Sequence, residues 1–218
     1  MADWATISSL ATAGGTLVLA IATFSSVRSA NRAARVAEQS LLFGQRPLLM
    51  PSRVDDPEEK IMWVDEHWAH LRGGRASVEL VDGNIYLAMS LRNVGNGTAV
   101  LQGWRPSGRR LTGANAEGSP RDLPDLAEFR PQGRDLYVPS GDIGFWQAAI
   151  RDAGDPMYEE MRDAIVARRI FTVAVLYSDH EGAQRAIGGF VLAPGRENDS
   201  QWICSVARHW NVDRPNPR

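Results

Sequence analysis

Ile85-Tyr86-Leu87-Ala88-Met89-Ser90-Leu91-Arg92 is the stretch on which the fold turns. Ile85, Leu87, Met89 and Leu91 fall on one side of an extended chain and Tyr86, Ala88, Ser90 and Arg92 on the other, so the run predicts a strand with one face in a core. Phe171-Thr172-Val173-Ala174-Val175-Leu176-Tyr177 repeats the alternation, and Trp202 to Arg208 carries a weaker copy. Working outward, Gly95-Asn96-Gly97 follows the first run and Asp179-His180-Glu181-Gly182 the second, with further turns at Pro139-Ser140-Gly141-Asp142 and over 194–199. Glycine and asparagine supply the positive φ values such connections need. Arg46 to Met50 reads as the first strand. The fold class is therefore mainly β: a long N-terminal transmembrane and stalk helix, then an antiparallel β-sandwich over residues 46–218 with one inserted helix.

The inserted helix is expected over 155–169, where Asp155 can cap, Pro156 suits the first turn, and Glu159, Glu160, Arg168 and Arg169 suit the helix dipole. Met157, Met161 and Ile165, spaced by four, predict a stripe covering a sheet edge or barrel end. Two other insertions, near 55–80 and 105–135, read as irregular. The first is charged, with Asp55-Asp56-Pro57-Glu58-Glu59 as a solvated loop. The second carries six Arg and four Pro with little periodicity, which predicts a surface loop or a partner-binding arm.

Residues 4–27 hold no charged side chain. As a helix these 24 residues reach about 36 Å, enough for a hydrocarbon core of roughly 30 Å. Nine bulky apolar residues are diluted by eight Ser and Thr, whose hydroxyls can bond back to the helix's own carbonyls. Trp4 sits where an interfacial anchor belongs, and Arg28, Arg32 and Arg35 follow the stretch at once. Ala11 and Gly15, four apart, would admit a second copy of the helix. Helix formers continue to Gly44, a candidate C-cap, and Pro47 bars continuation, so 1–45 reads as a transmembrane helix with a juxtamembrane stalk. The arginines predict a cytosolic C-terminal domain on a single-pass protein of the inner (cytoplasmic) membrane. A cleaved export signal is the rival, but its positive n-region is missing and Asp3 stands there instead. Cys204, the only cysteine, agrees with the cytosol.

A net charge of −2 and a pI near 6.1 exclude a global drive toward nucleic acid. Of 24 basic residues only Lys60 is lysine, which reads as compositional bias. Candidate chemistry is thin. His67-x-x-His70 could ligate a metal from one helical turn, with His180, Glu181 or His209 completing the set, but no C-x-x-C or H-E-x-x-H accompanies it. No G-x-S-x-G elbow supports a hydrolase triad, and Gly73-Gly74 and Gly188-Gly189 lack the spacing of a phosphate loop. No catalytic, cofactor-binding or metal residue is assigned, and no cofactor. Trp104, Trp146 and Trp202 read as core, while Trp210 either packs the tail down or offers it to a partner.

Arg46-Pro47 after a helical stalk, a strand running into Asn93-Val94-Gly95-Asn96-Gly97-Thr98-Ala99, then Pro139 to Asp142 and Tyr177-Ser178-Asp179-His180-Glu181-Gly182 resembles a broad group of uncharacterised bacterial single-pass membrane proteins. The resemblance implies an N-terminal anchor and an immunoglobulin-like sandwich, and no activity. It spans most of the chain, departing at the three insertions. The expectation that follows is a membrane-anchored cytosolic interaction or scaffold module without its own chemistry, not an enzyme, whose partners are the lipid bilayer, an unidentified protein and a second copy through the N-terminal helix. A membrane-tethered enzyme or metal-binding protein, and an exported domain with a cleaved N-terminal segment, are the alternatives.

Overall fold

The computed structural model describes residues 4–108, 123–195 and 201–215, and their side chains apart from 4–11, 39 and 41–43. Two compact units emerge, Met1–Gly44 and Gln45–Arg218. The first is one unbroken helix, α1 (Trp4–Gly44). Every side chain from Thr12 to Glu38 is exposed, including Leu17, Val18, Leu19, Ile21, Phe24 and Val27. The hydroxyls behave as their chemistry requires: Thr16 and Thr23 donate to the Thr12 and Leu19 carbonyls at 2.9 and 2.8 Å. Among the described residues no helix is long and apolar enough to cross a membrane. The helix expected over 1–45 is thus present, but a span is not shown. Trp4 and Ala11 lie outside the residues with described side chains, and a Cβ added at Gly15 would meet nothing within 4 Å beyond its own helix.

The second unit runs β1 (Leu49–Pro51), β2 (Glu59–Met62), β3 (Trp68–Leu71), β4 (Arg75–Val81), β5 (Asn84–Asn93), β6 (Ala99–Ser107), a 3-10 turn (Leu126–Glu128), β7 (Arg130–Val138), β8 (Ile143–Ile150), α2 (Tyr158–Val166), β9 (Phe171–Ser178), β10 (Ala186–Pro194) and β11 (Trp202–Asn211). Nine strands join one antiparallel sheet, β1-β5-β4-β11-β10-β9-β6-β7, with β8 pairing the other side of β5. The nine strands form one curled sheet and β2–β3 a second, two-stranded one, so the fold is mainly β and antiparallel as expected, while a two-layer sandwich is not shown. Trp104 of β6 and Trp146 of β8, near opposite ends of the path, meet edge to face with centroids 5.6 Å apart, which only a sheet curling on itself allows. Ile85, Leu87, Met89 and Leu91 point into that core as expected, beside Phe171, Val173, Val175, Tyr177, Phe190 and Trp202.

The irregular insertions need correction too. Residues 55–80 hold the β2–β3 hairpin and β4, and the hairpin lays Ile61, Trp63, Ala69 and Leu71 over Tyr86 and Ala88. The other face of β5 is therefore also buried, against the expectation of a single core face. Residues 126–129 do the same elsewhere: Leu126 and Phe129 pack on Ala174, Leu176, Ile187 and Trp210 outside β9 and β10. Residues 109–122 of the 105–135 segment lie outside the described residues, as do 196–199 of the late turn.

The inserted helix is shorter than expected. Asp155 does not cap it; its Oδ1 accepts from the Met157 amide at 2.8 Å in a preceding turn, and Arg130 donates to both its oxygens at 2.6 Å. Burial raises the Asp155 pKa, but these donors outweigh it and leave it lowered. Met161 and Ile165 are buried with Tyr158 and Ala164, and Met157 packs beside them. At the C-terminus Arg168 and Arg169 donate to the Ile165 and Ala164 carbonyls, a Schellman pattern with Arg168 at φ 48°.

Candidate functional site: the lead-in segment and the outer hairpin

Four short motifs that lie far apart in sequence converge where the chain enters the domain. Asn93, fully buried, uses its whole amide there. Its Oδ1 accepts from the Leu48 and Gly95 amides at 3.0 Å each, and its Nδ2 donates to the Gly97 and Val138 carbonyls at 2.6 and 3.0 Å. Gly95 and Gly97 let residues 45–48 cross directly above: a Cβ on Gly95 would lie 2.2 Å from the Arg46 carbonyl oxygen, and one on Gly97 1.9 Å from that of Gln45. The Pro139–Asp142 turn closes the same corner. Ser140 Oγ donates to the Gly95 carbonyl at 2.7 Å, and the Gly141 amide to that of Asn93 at 2.9 Å. Arg46 is held by the Asp213 carboxylate and the Arg185 carbonyl. Next in line, the Leu49 amide donates to Tyr177 Oη at 3.5 Å, and His209 Nε2 to the Leu49 carbonyl at 2.7 Å. Burial pushes the His209 pKa down against this bond, and pushes the Tyr177 hydroxyl up to about 12. These groups fix a backbone and leave nothing aimed outward, so the corner is a structural lock.

A denser polar cluster ties the hairpin to the sheet, and it contains residues that no motif announces. Tyr86 Oη donates to Asp65 Oδ2 at 2.6 Å, and Arg151 Nε donates to the same oxygen at 2.9 Å. The Arg151 guanidinium, with help from Tyr86, holds the Asp65 carboxyl well below the usual carboxylate range, while Asp65 and burial raise the Tyr86 pKa. His67 stacks on Tyr86 with centroids 4.0 Å apart and bonds Glu79 through Nε2 at 2.9 Å. Trp63 completes the group, its Nε1 donating to the Ala148 carbonyl at 3.0 Å. A tyrosine with a raised pKa holds its proton more firmly and is a poor acid, while Asp65 is engaged by Tyr86 and Arg151 and His67 by Glu79. The arrangement makes a rigid platform.

The outer side of that platform is the most interface-like surface among the described residues. Met62 and Trp68 are cross-strand partners, both exposed, with Trp68 49% accessible and Val64 standing free at the tip. Lys60 Nζ lies 4.4 Å from the centroid of the Trp68 ring. The alternation Ile61/Trp63 and Ala69/Leu71 could have disclosed the inner face, but the outer face has no sequence signal beyond a tryptophan in polar company.

The histidines are not gathered. His67 lies in the hairpin turn and His70 on β3, not one helical turn apart, and His70 instead faces Glu58 at 3.4 Å. His180 is exposed beside Glu181, and His209 is committed to the lead-in segment. Among the described residues no three His, Cys, Asp or Glu stand together as metal ligands would. Cys204 is buried against Met89, its thiol pushed up to about 12 by burial, which makes it a poor nucleophile. A second buried cluster joins Ser52, Ser90 and Glu59, with Ser52 Oγ donating to Ser90 Oγ at 2.7 Å and Ser90 Oγ to Glu59 at 3.2 Å. Ser90 has no exposed surface. Trp104, Trp146 and Trp202 are core, and Trp210 is buried over β10. No family model, no curated protein and no solved structure matches the chain.

Proposed function

We propose that this protein is a membrane-anchored interaction module of the cytosolic side, in which α1 holds the domain at the inner membrane and the outer hairpin face meets a protein partner. One observation carries the reading: six large apolar side chains between Leu17 and Val27 are all exposed. At about 100° per residue they point all round the helix, a distribution suited to lipid and not to a one-sided seam. Residues 4–11, which add Trp4, Ile7 and Leu10 without a charge, extend the run. The two halves of the curled sheet, facing each other across Trp104 and Trp146, serve as the layers of the sandwich that the resemblance implies. Self-satisfied polar clusters support binding over chemistry. Ala11 and Gly15 offer a helix-pairing face to a second copy.

Membranes from expressing cells test the anchor. The chain should stay with them through alkaline and high-salt washes, and protease added to intact cells should spare residues 50–218. Release by salt, or digestion from outside, overturns the anchor or its orientation.

A further inference from the structure

We propose that Arg28, Arg32 and Arg35 form a binding ladder for the phosphates of anionic phospholipid headgroups, so that α1 selects the lipid around it as well as holding the domain. The inference rests on the membrane reading above and adds a ligand to it. Spacings of four and three place the three guanidinium stems within an arc of about 60° on one side of the helix, over a rise of roughly 10 Å. The ladder begins one residue after Val27, the last member of the apolar run, which sets its first rung at the hydrocarbon boundary and the others among headgroups.

What separates these arginines from the ion-paired ones of the domain is that all three stand exposed on one helix face without a carboxylate. In the domain Arg46, Arg92, Arg105, Arg130, Arg151 and Arg162 each find a carboxylate. Among the described residues no ion pair engages Arg28, Arg32 or Arg35, all of them exposed, and Glu38 makes none with Arg35 although it stands three residues on. Three positive charges against one negative leave this part of the helix basic. The far side carries Ala30, Ala34 and Ala37, so charge is confined to one face. The guanidinium fork matches two phosphate oxygens at once, which a bare ammonium cannot do. A second copy is the weaker occupant, since it would set like charges together unless it used the alanine face.

The test is native mass spectrometry of the full-length chain released from nanodiscs of phosphatidylcholine containing a minority of phosphatidylglycerol. Wild type should carry phosphatidylglycerol in excess of its share. R28Q/R32Q/R35Q should lose that excess, by about 5-fold for each arginine removed, and the lysine triple variant should recover part of it. Equal retention by wild type and the glutamine variant, or an arginine-dependent dimer without excess phosphatidylglycerol, would overturn the ladder. Alkaline extraction of the same samples keeps the two ideas apart. If both chains stay embedded and retention is equal, the anchor stands and the ladder fails; if wild type is extracted, both fall.

Discussion

Removing the Asn93 amide should unlatch the lead-in segment from the sheet. The side chain makes four hydrogen bonds, and Asn93→Ala leaves two N–H donors and two carbonyls without it. At about 0.5–1.5 kcal/mol net per bond the total spans about 2–6 kcal/mol. The Val138 bond is buried while the other three are part-buried, so water can replace some of them, and the expected loss settles at about 3 kcal/mol. For a domain of this size that lowers Tm by about 6–12 °C. Asn93→Asp is the sharper test. It keeps the acceptor for Leu48 and Gly95 but turns an oxygen toward the Gly97 and Val138 carbonyls, so it should cost at least as much as alanine. Urea unfolding of residues 45–218 followed by circular dichroism and by tryptophan fluorescence measures both. An aspartate variant as stable as wild type, or an alanine variant within ~1 kcal/mol of it, would refute the four-bond account.

Gly97→Ala should cost about 1–3 kcal/mol because its Cβ meets the Gln45 carbonyl, whereas Gly133→Ala, with nothing within 4 Å, should be neutral; equal thermal melts would remove the crossing. His67→Ala should cost about 1–2 kcal/mol through its stacking and its Glu79 bond. His70→Ala and His180→Ala, at exposed positions, should stay within ~0.5 kcal/mol. Acid should act on Asp65 and Glu59 with opposite sign. Asp65 is lowered from 3.8, so its contribution is complete above that value and is lost as pH falls through it. Glu59 is raised from 4.5, chiefly by burial, so the folded state takes its proton first and gains stability as pH falls toward 4.5. Denaturant titrations from neutral pH downward should show a flatter acid loss for Asp65→Asn and a steeper one for Glu59→Gln; the same slope change in both would contradict these assignments.

The inward face of β5 was legible because alternation is a local property. Its outward face was not, because what covers Tyr86 and Ala88 comes from Ile61, Trp63, Ala69 and Leu71, and no period within β5 announces a second layer. The expectation of an irregular 55–80 segment also overlooks Val81-Asp82-Gly83-Asn84. Asp82 at φ 49° and Gly83 at φ 78° form the tight turn that Asp-Gly favours and join β4 to β5. Asp155 illustrates a different limit: Arg130, 25 positions earlier, recruits it into a turn and so moves the helix start.

Read in space, the motifs of the lead-in corner explain their own brevity. Asn93, Gly95, Gly97, Ser140 and Gly141 act mostly on backbone atoms, through bonds a side chain of any neighbour could surround, so few identities need fixing around them. Such motifs mark where a chain must cross or turn and are silent on what it binds. The two surfaces on which binding is proposed have the reverse character. Met62, Val64 and Trp68 on the hairpin, and Arg28, Arg32 and Arg35 on α1, do nothing evident for the fold and are exposed. Selection for folding alone gives no reason to keep a tryptophan half exposed on a platform locked from beneath by Asp65, Tyr86 and Arg151, or three arginines in register that make no ion pair among the described residues. The proposed function is therefore sought on those two faces, and not in the clusters whose polar atoms bond one another within the fold.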